Sequence, residues 1–293
     1  MQNKNFTEES MRENIWNTDL SGKVVAITGA GGVLCSYFAR VISRAGGKVA
    51  LLDRNAKRSA EIATEITSMG GIAEAFACDV LDKQSCIDAA QKVKQCLGGC
   101  DILINGAGGN NPSATTDREY FSKSDNDSEI KSFFSLTEDG VRQVLDLNFL
   151  GTFIPTQVFA QQMIGKSGCS ILNISSMNAY RPLTKIPAYS GAKAAVSNLT
   201  QWLAVYFSRV GIRVNAIAPG FFSTQQNATL LWNADGSPTE RTKKILAATP
   251  MGRFGNCEEL EGSLLFLLDA KASGFVTGIV LPVDGGFSAY SGV

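Results

Sequence analysis

From Lys23 onward the chain alternates short apolar runs with longer stretches in which apolar residues recur every three or four positions. The runs at Lys23–Ile27, Lys48–Leu52, Ile72–Ala77, Asp101–Ile104, Ser170–Ile174, Ile212–Ala218 and Ile279–Val283 have the length and apolar density of strands buried on both faces. Helices are expected over about Val33–Ala45, 55–69, Asp82–Leu97, Leu136–Met163, Ala188–Val205 and Cys257–Leu268. This alternation predicts an α/β fold: a doubly wound parallel sheet of about seven strands with helices on both faces, in a single domain over residues 21–293. Residues 1–20 are polar apart from anchors such as Trp16 and Leu20, and are expected to form a surface extension that can meet a neighbouring subunit. Two segments break the rhythm. Residues 109–136 are polar and long for a connection, as a substrate loop at the carboxyl edge of the sheet would be. Residues 221–255 are irregular and suited to covering a substrate.

The first strand runs into Thr28-Gly29-Ala30-Gly31-Gly32 and then a helix beginning Val33-Leu34. A glycine-rich turn there lets a pyrophosphate approach the backbone and meet the free amides of a helix N-terminus. The second strand ends on Asp53, at the distance expected of a carboxylate that bonds an adenosine ribose. A dinucleotide site on a Rossmann-type sheet is therefore expected. Asp53 would repel the 2′-phosphate of NADP, which makes NAD the expected cofactor; Arg54 beside it offsets part of that repulsion and keeps NADP as the alternative.

Composition narrows the chemistry. The chain has 293 residues, 44% of them hydrophobic, enough for a full core. Its 27 basic and 27 acidic residues leave no net field for nucleic acid or an anionic membrane. No apolar run is long enough to span a bilayer. The seven cysteines are odd in number and form no C-x-x-C pair, which suits free thiols in a reducing cytoplasm. There is no histidine, so histidine-dependent nucleophiles and most zinc sites drop out, and no metal is expected. Proton chemistry must come from Tyr, Lys, Asp, Glu or Cys.

Tyr189 and Lys193 lie four positions apart in an expected helix and so share a face, where an ammonium could stabilise a phenolate. Ser176 follows the strand Ser170–Ile174 and can bring a hydroxyl to the same place. With the glycine-rich turn, this Ser and Tyr-x-x-x-Lys arrangement resembles the short-chain dehydrogenase/reductases from about Gly22 to the end of the chain. The resemblance implies catalysis by Asn148, Ser176, Tyr189 and Lys193, with Asn148 holding a water in a proton relay and Lys193 also bonding the nicotinamide ribose. It implies cofactor contacts from Gly29, Gly31, Gly32, Val33, Leu34, Asp53 and Arg54, from Asp79 and Val80 at the adenine, and from the element Asn105-Gly106-Ala107-Gly108. Pro219-Gly220, with Phe222 and Thr224 beyond, would meet the nicotinamide. The family's Asp-Gly-Gly ending is matched by Asp284-Gly285-Gly286, where members commonly build a homotetramer. One departure is plain: Val33 and Cys35 stand where the family's second and third turn glycines are expected.

Asn110, Asn178, Arg181 and Lys185 are the expected substrate residues, a set suited to a hydroxylated, anionic ligand. The turn at 33–35, the loop at 110–116 and the segment 175–187 together resemble a sugar-acid branch of the family, the D-mannonate oxidoreductases (fructuronate reductases), with gluconate 5-dehydrogenase-like enzymes next. Reduction of D-fructuronate with NADH is the activity this implies. A 3-oxoacyl thioester reductase and a non-catalytic dinucleotide sensor are the alternatives; the first usually wants NADPH, and the second needs no proton relay.

Overall fold

The computed structural model describes residues 18–127, 129–223 and 228–292. Seven strands form one parallel sheet: β1 (Val24–Thr28), β2 (Lys48–Asp53), β3 (Ala73–Ala77), β4 (Ile102–Asn105), β5 (Cys169–Ile174), β6 (Ile212–Pro219) and β7 (Val280–Val283). Their spatial order is β3-β2-β1-β4-β5-β6-β7, so the winding direction reverses between β1 and β4. That reversal opens a crevice at the carboxyl ends of the two strands, where open α/β sheets take ligands.

Every residue of β1 and β4 is buried, as the continuous apolar runs require of strands covered on both faces. One face of the sheet packs under α1 (Val33–Arg44), α2 (Ala56–Ser68) and, further along the chain, Leu260 to Leu268, around Phe38, Ile42, Ile62 and Leu264. The other packs under α3 (Lys83–Leu97), around Val93, Phe159, Met163 and Leu203. Side chains mark the helix starts: Asn55 accepts from the Arg58 amide and Asp82 from the Gln84 amide, while Gly98 in the left-handed conformation ends α3.

The helix expected over Leu136–Met163 begins at Glu138 and is not continuous. After α4 (Glu138–Leu145) the chain widens into a π turn at Asp146–Leu150 before α5 (Gly151–Phe159). The amide of Asn148, inside that turn, donates to the Val144 carbonyl four residues back (2.8 Å) and to the Gly109 carbonyl (2.7 Å). A side chain that competes for a helix carbonyl in this way favours the wider turn, and such turns collect at functional sites.

The 109–136 segment carries three 3₁₀ turns and is internally bonded, with Arg118 paired to Asp125 and Asp117 exchanging bonds with Lys131. α6 (Pro187–Phe207) follows β5. Beyond β6 come α7 (Ala228–Leu231), α8 (Glu240–Ala248), α9 (Glu261–Leu268) and a short α10 (Ala270–Ser273) that the apolar pattern did not signal. Leu20 is buried in the core, an anchor as expected; the rest of the expected extension, Trp16 included, lies outside the described residues.

Candidate active site

The crevice between β1 and β4 is a cleft of about 460 Å³, walled by Gly29, the 32–35 turn, Asp53, Arg54, Asp79, Val80 and the backbone of Gly106 to Gly108; Gly31 lies behind this wall. Thr28 ties its two sides together, its hydroxyl accepting from the amides of Gly106 (3.1 Å) and Ala107 (3.3 Å). Gly29 has φ +66°, and a Cβ there would stand 2.8 Å from the Ala107 Cα, so only glycine fits. Gly32 precedes α1 without a side-chain cap, and the first turn of α1 contains no acidic residue. Its amides and dipole therefore face the cleft uncompensated, as an anion site requires.

Asp53 closes the turn. One carboxylate oxygen accepts from the Gly31 amide (2.8 Å) and the other from Asn55 (2.7 Å), which fixes the carboxylate at the end of β2. This cradle fits a dinucleotide: backbone amides and a helix end for the phosphates, and a held carboxylate for a ribose. The missing glycines do not obstruct it. Cys35 turns inward, is 4% exposed, and fills the space over Gly106, where a Cβ would come within 2.1 Å of the sulfur. Burial pushes the Cys35 thiol up to about 12, so it packs as a neutral apolar group.

Asn105 does not join the wall of this cleft. Its amide points to Thr156 and Asn173 (2.9 Å each), cross-linking β4, β5 and α5 beneath the site, because a buried amide takes the partners nearest to it. Leu147 and Cys78 are wall residues that the motifs did not mark. Thr224 lies outside the described residues. Pro219, Gly220 and Phe222 line a neighbouring cavity of about 230 Å³ that shares Leu34 with the cleft.

The four expected catalytic residues converge at the carboxyl edge of the sheet. Ser176 follows β5 and caps a 3₁₀ turn by accepting from the Asn178 amide. Tyr189 is the third residue of α6, and Ser176 lies close enough to its phenol to draw the phenol's pKa down. Lys193, one turn further on, is buried, with its ammonium 5.6 Å from the centre of the Tyr189 ring and donating to the Ile174 carbonyl (2.7 Å). Asn148 and Lys193 meet at Gly108, which packs against the side-chain oxygen of one and the ammonium of the other. Ser175, missed among the motifs, positions this helix by bonding the Lys193 carbonyl and the Ser197 hydroxyl.

Burial pushes the Tyr189 phenol up and the Ser176 hydroxyl pulls it part of the way back. The ammonium sits over the ring and is turned to the Ile174 carbonyl rather than to the hydroxyl, and burial holds its own pKa down to about 8.

The expected substrate residues are not brought together. Asn110 bonds Thr115. Asn178 is buried, and among the described residues its carbonyl oxygen has no hydrogen-bond partner. Arg181 donates to the Tyr290 carbonyl near the end of the chain. Lys185 lines a separate cavity of about 360 Å³ with Phe221, Arg241 and Lys244. The spacing of these residues placed them in neighbouring loops; how those loops fold then separated them.

The family model for short chain dehydrogenases matches residues 23–234. An uncharacterized oxidoreductase of Haemophilus influenzae is 57% identical over 277 residues, covering 94% of this chain and 97% of that protein. A second uncharacterized oxidoreductase, UxuB of Bacillus subtilis, is 52% identical over 94% of this chain and 98% of its own length. Among solved structures, an NAD-bound protein of Haemophilus influenza, provisionally a D-mannonate oxidoreductase, superposes with a TM-score of 0.92 at 56% identity, over 95% of this chain and 99% of that one.

Proposed function

The chain belongs to the short-chain dehydrogenase family, and from that premise we propose that it interconverts a sugar-acid ketone and its alcohol with NAD(H), the favoured pair being D-fructuronate and D-mannonate. One observation carries the chemistry: Ser176 and Tyr189 converge with Lys193 and Asn148 at the carboxyl edge of the sheet, beside the cleft that fits a dinucleotide. The NAD held by the Haemophilus influenza structure, together with that protein's provisional name, supports both the cofactor and the substrate class.

When bound, NAD(H) supplies or accepts the hydride. In the reductive direction Tyr189 gives its proton to the carbonyl oxygen, while Ser176 donates a hydrogen bond that stabilises the charge developing there. A protonated Lys193 beside the phenol stabilises the phenolate left when the proton is given up, and Asn148 lies within reach of the lysine through Gly108 to position the reloading water. Asp53 at the ribose favours NAD over NADP. We further propose that the 109–136 loop and the 221–255 segment shape the substrate side. The exposed Trp202, Val205 and Tyr206 of α6 support assembly of copies into a homotetramer. Seven free thiols suit a cytoplasmic setting; among the described residues no helix is long and apolar enough to cross a membrane.

The test is an NADH-absorbance assay over D-fructuronate, 5-ketogluconate, neutral ketoses and 3-oxoacyl thioesters. Turnover of the uronate is expected. Turnover of neutral ketoses or thioesters without any uronate would overturn the reading, and no turnover with NAD saturating the protein would favour a sensor.

A further inference from the structure

The cations around the cavities beyond Pro219 divide into engaged and unengaged. Lys244 is held by Glu119 (2.7 Å), Lys243 by Glu240 (2.7 Å) and Arg253 by Glu259 (2.6 Å), while Arg181 is spent on the Tyr290 carbonyl. Among the described residues Arg241 and Lys185 have no ion pair. The two carboxylates that share a wall with them, Glu119 and Glu240, are ion-paired to Lys244 and Lys243, and Lys185 lies near enough to Glu119 to help hold its carboxyl low without an ion pair.

Arg241 lines two adjoining cavities. The first adjoins the cofactor cleft at Leu34 and has Pro219 and Gly220 in its wall. The second contains Lys185 and Ile186, and shares Phe221, Arg241 and Ile245 with the first. Ile186 is the residue from which the Tyr189 helix starts, so the second cavity abuts the catalytic end of α6.

Both cations are held by their backbones. Thr239 caps α8 by accepting from the Thr242 amide, and the buried Thr242 donates to the Leu231 carbonyl (2.6 Å), which fixes Arg241 between them. A cation in the first turn of a helix gains nothing from the helix dipole, so the stability of α8 does not account for it. Lys185 has φ +73°, the one positive value at a non-glycine among the described residues, and its carbonyl accepts from the Thr116 amide (2.9 Å). Lysine adopts that conformation against its own preference, a feature that gathers at functional sites.

We infer that Arg241, with Lys185 in the same cavity wall, is the carboxylate subsite of this enzyme. A guanidinium fork can take both carboxylate oxygens, and the lysine adds a second positive charge. In D-fructuronate the carboxylate lies four carbon–carbon bonds from the ketone, so an anion held in the cavity beside α6 leaves the ketone free to extend toward Ser176 and Tyr189. This inference rests on the sugar-acid reading and adds to it the residue that separates an acid from a neutral ketose.

The test uses NAD-saturated full-length protein with the wild type, Arg241→Ala and Arg241→Lys. Calorimetric titration with D-gluconate, as a carboxylate probe, is expected to show affinity lowered about 10- to 100-fold in Arg241→Ala and less in Arg241→Lys, which keeps the charge but loses the fork. In turnover, Arg241→Ala is expected to raise KM for D-fructuronate by a similar factor with a smaller change in kcat, and to leave KM for D-fructose, its neutral counterpart, unchanged. Equal gluconate affinity in wild type and Arg241→Ala, or no gluconate binding by the wild type, overturns the subsite. Loss of uronate turnover in the wild type, with gluconate binding still dependent on Arg241, would instead sink the proposed substrate and leave the subsite standing. Matching circular dichroism of the three proteins would show that the comparison is between folded chains.

Discussion

The cofactor half of the site and the proposed substrate half are built in opposite ways. The first is made of strand ends and the turns directly after them: the Thr28–Gly32 turn, Asp53, Asp79 and the Gly106–Gly108 backbone, all brought together by the order of neighbouring parallel strands. Its parts hold one another through backbone amides, as when Asp53 fixes Gly31 and Thr28 fixes Gly106. The second half is made of side chains from segments far apart in sequence, Lys185 before α6, Phe221 after β6 and Arg241 on α8. Which of those side chains is available depends on which nearby groups have already engaged the others. Backbone-built sites are fixed by the fold; side-chain-built sites are fixed by competition among loops.

The largest expected effect bears on the point where the halves meet. Tyr189→Phe removes the proton donor and leaves the cradle untouched, so turnover should fall by about 100-fold or more while NAD affinity stays the same. Stopped-flow hydride transfer and fluorescence titration of NADH read the two separately. Near-normal turnover would mean that the catalytic half lies elsewhere. Asp53→Ala strikes the cofactor half, since it removes the carboxylate at the ribose and releases the Gly31 amide as well. NAD affinity is expected to drop by about 10-fold or more, while NADP, relieved of repulsion, drops less or gains. An unchanged ratio of the two affinities would show that Asp53 holds the turn without reading the ribose.

Lys193 links both halves, and its burial makes a pH prediction. Its folded-state pKa is about 8 against an ordinary 10.5, so between those values the unfolded chain binds a proton that the folded chain does not. The cost of burying the charged form is therefore present in full below pH 8 and fades as pH rises toward 10.5. Urea denaturation of cofactor-free protein should show the wild type gaining about 2–3 kcal/mol on Lys193→Met between pH 7 and pH 10. A pH-independent difference would place the ammonium in contact with solvent.

The smallest effect sharpens the reading of the altered turn. If Cys35 fills space above Gly106 and nothing more, Cys35→Ala should cost about 1 kcal/mol of stability and change the KM for NAD by less than about threefold. A large change in NAD binding would give the sulfur a part in holding the cofactor.

Much of this was legible along the chain. Buried parallel strands must be continuous apolar runs, and the connections of a doubly wound sheet must return as helices, so the seven strands could be read with ends displaced by only a residue or two, and four of the six expected helices about as closely. The Ser176, Tyr189 and Lys193 positions were legible because two sit a helical turn apart, one sits just past a strand, and the resemblance to the short-chain dehydrogenases joined the three. The π turn at Asn148 was hidden, because helical period does not reveal that a side-chain amide will take the Val144 carbonyl.

Three matters waited for the tertiary structure. Asn105 sits beside the cleft in sequence, yet its amide belongs to Thr156 and Asn173. Lys193 is on the tyrosine's face, yet its ammonium turns to Ile174 and leaves the phenol raised by burial. Arg181 and Arg241 are both arginines in polar segments, and nothing local tells that the first will reach the Tyr290 carbonyl while the second stays without an ion pair. Strand and helix periodicity and turn chemistry are set by neighbours within a few residues, whereas the availability of a charge is set by whichever distant group reaches it first.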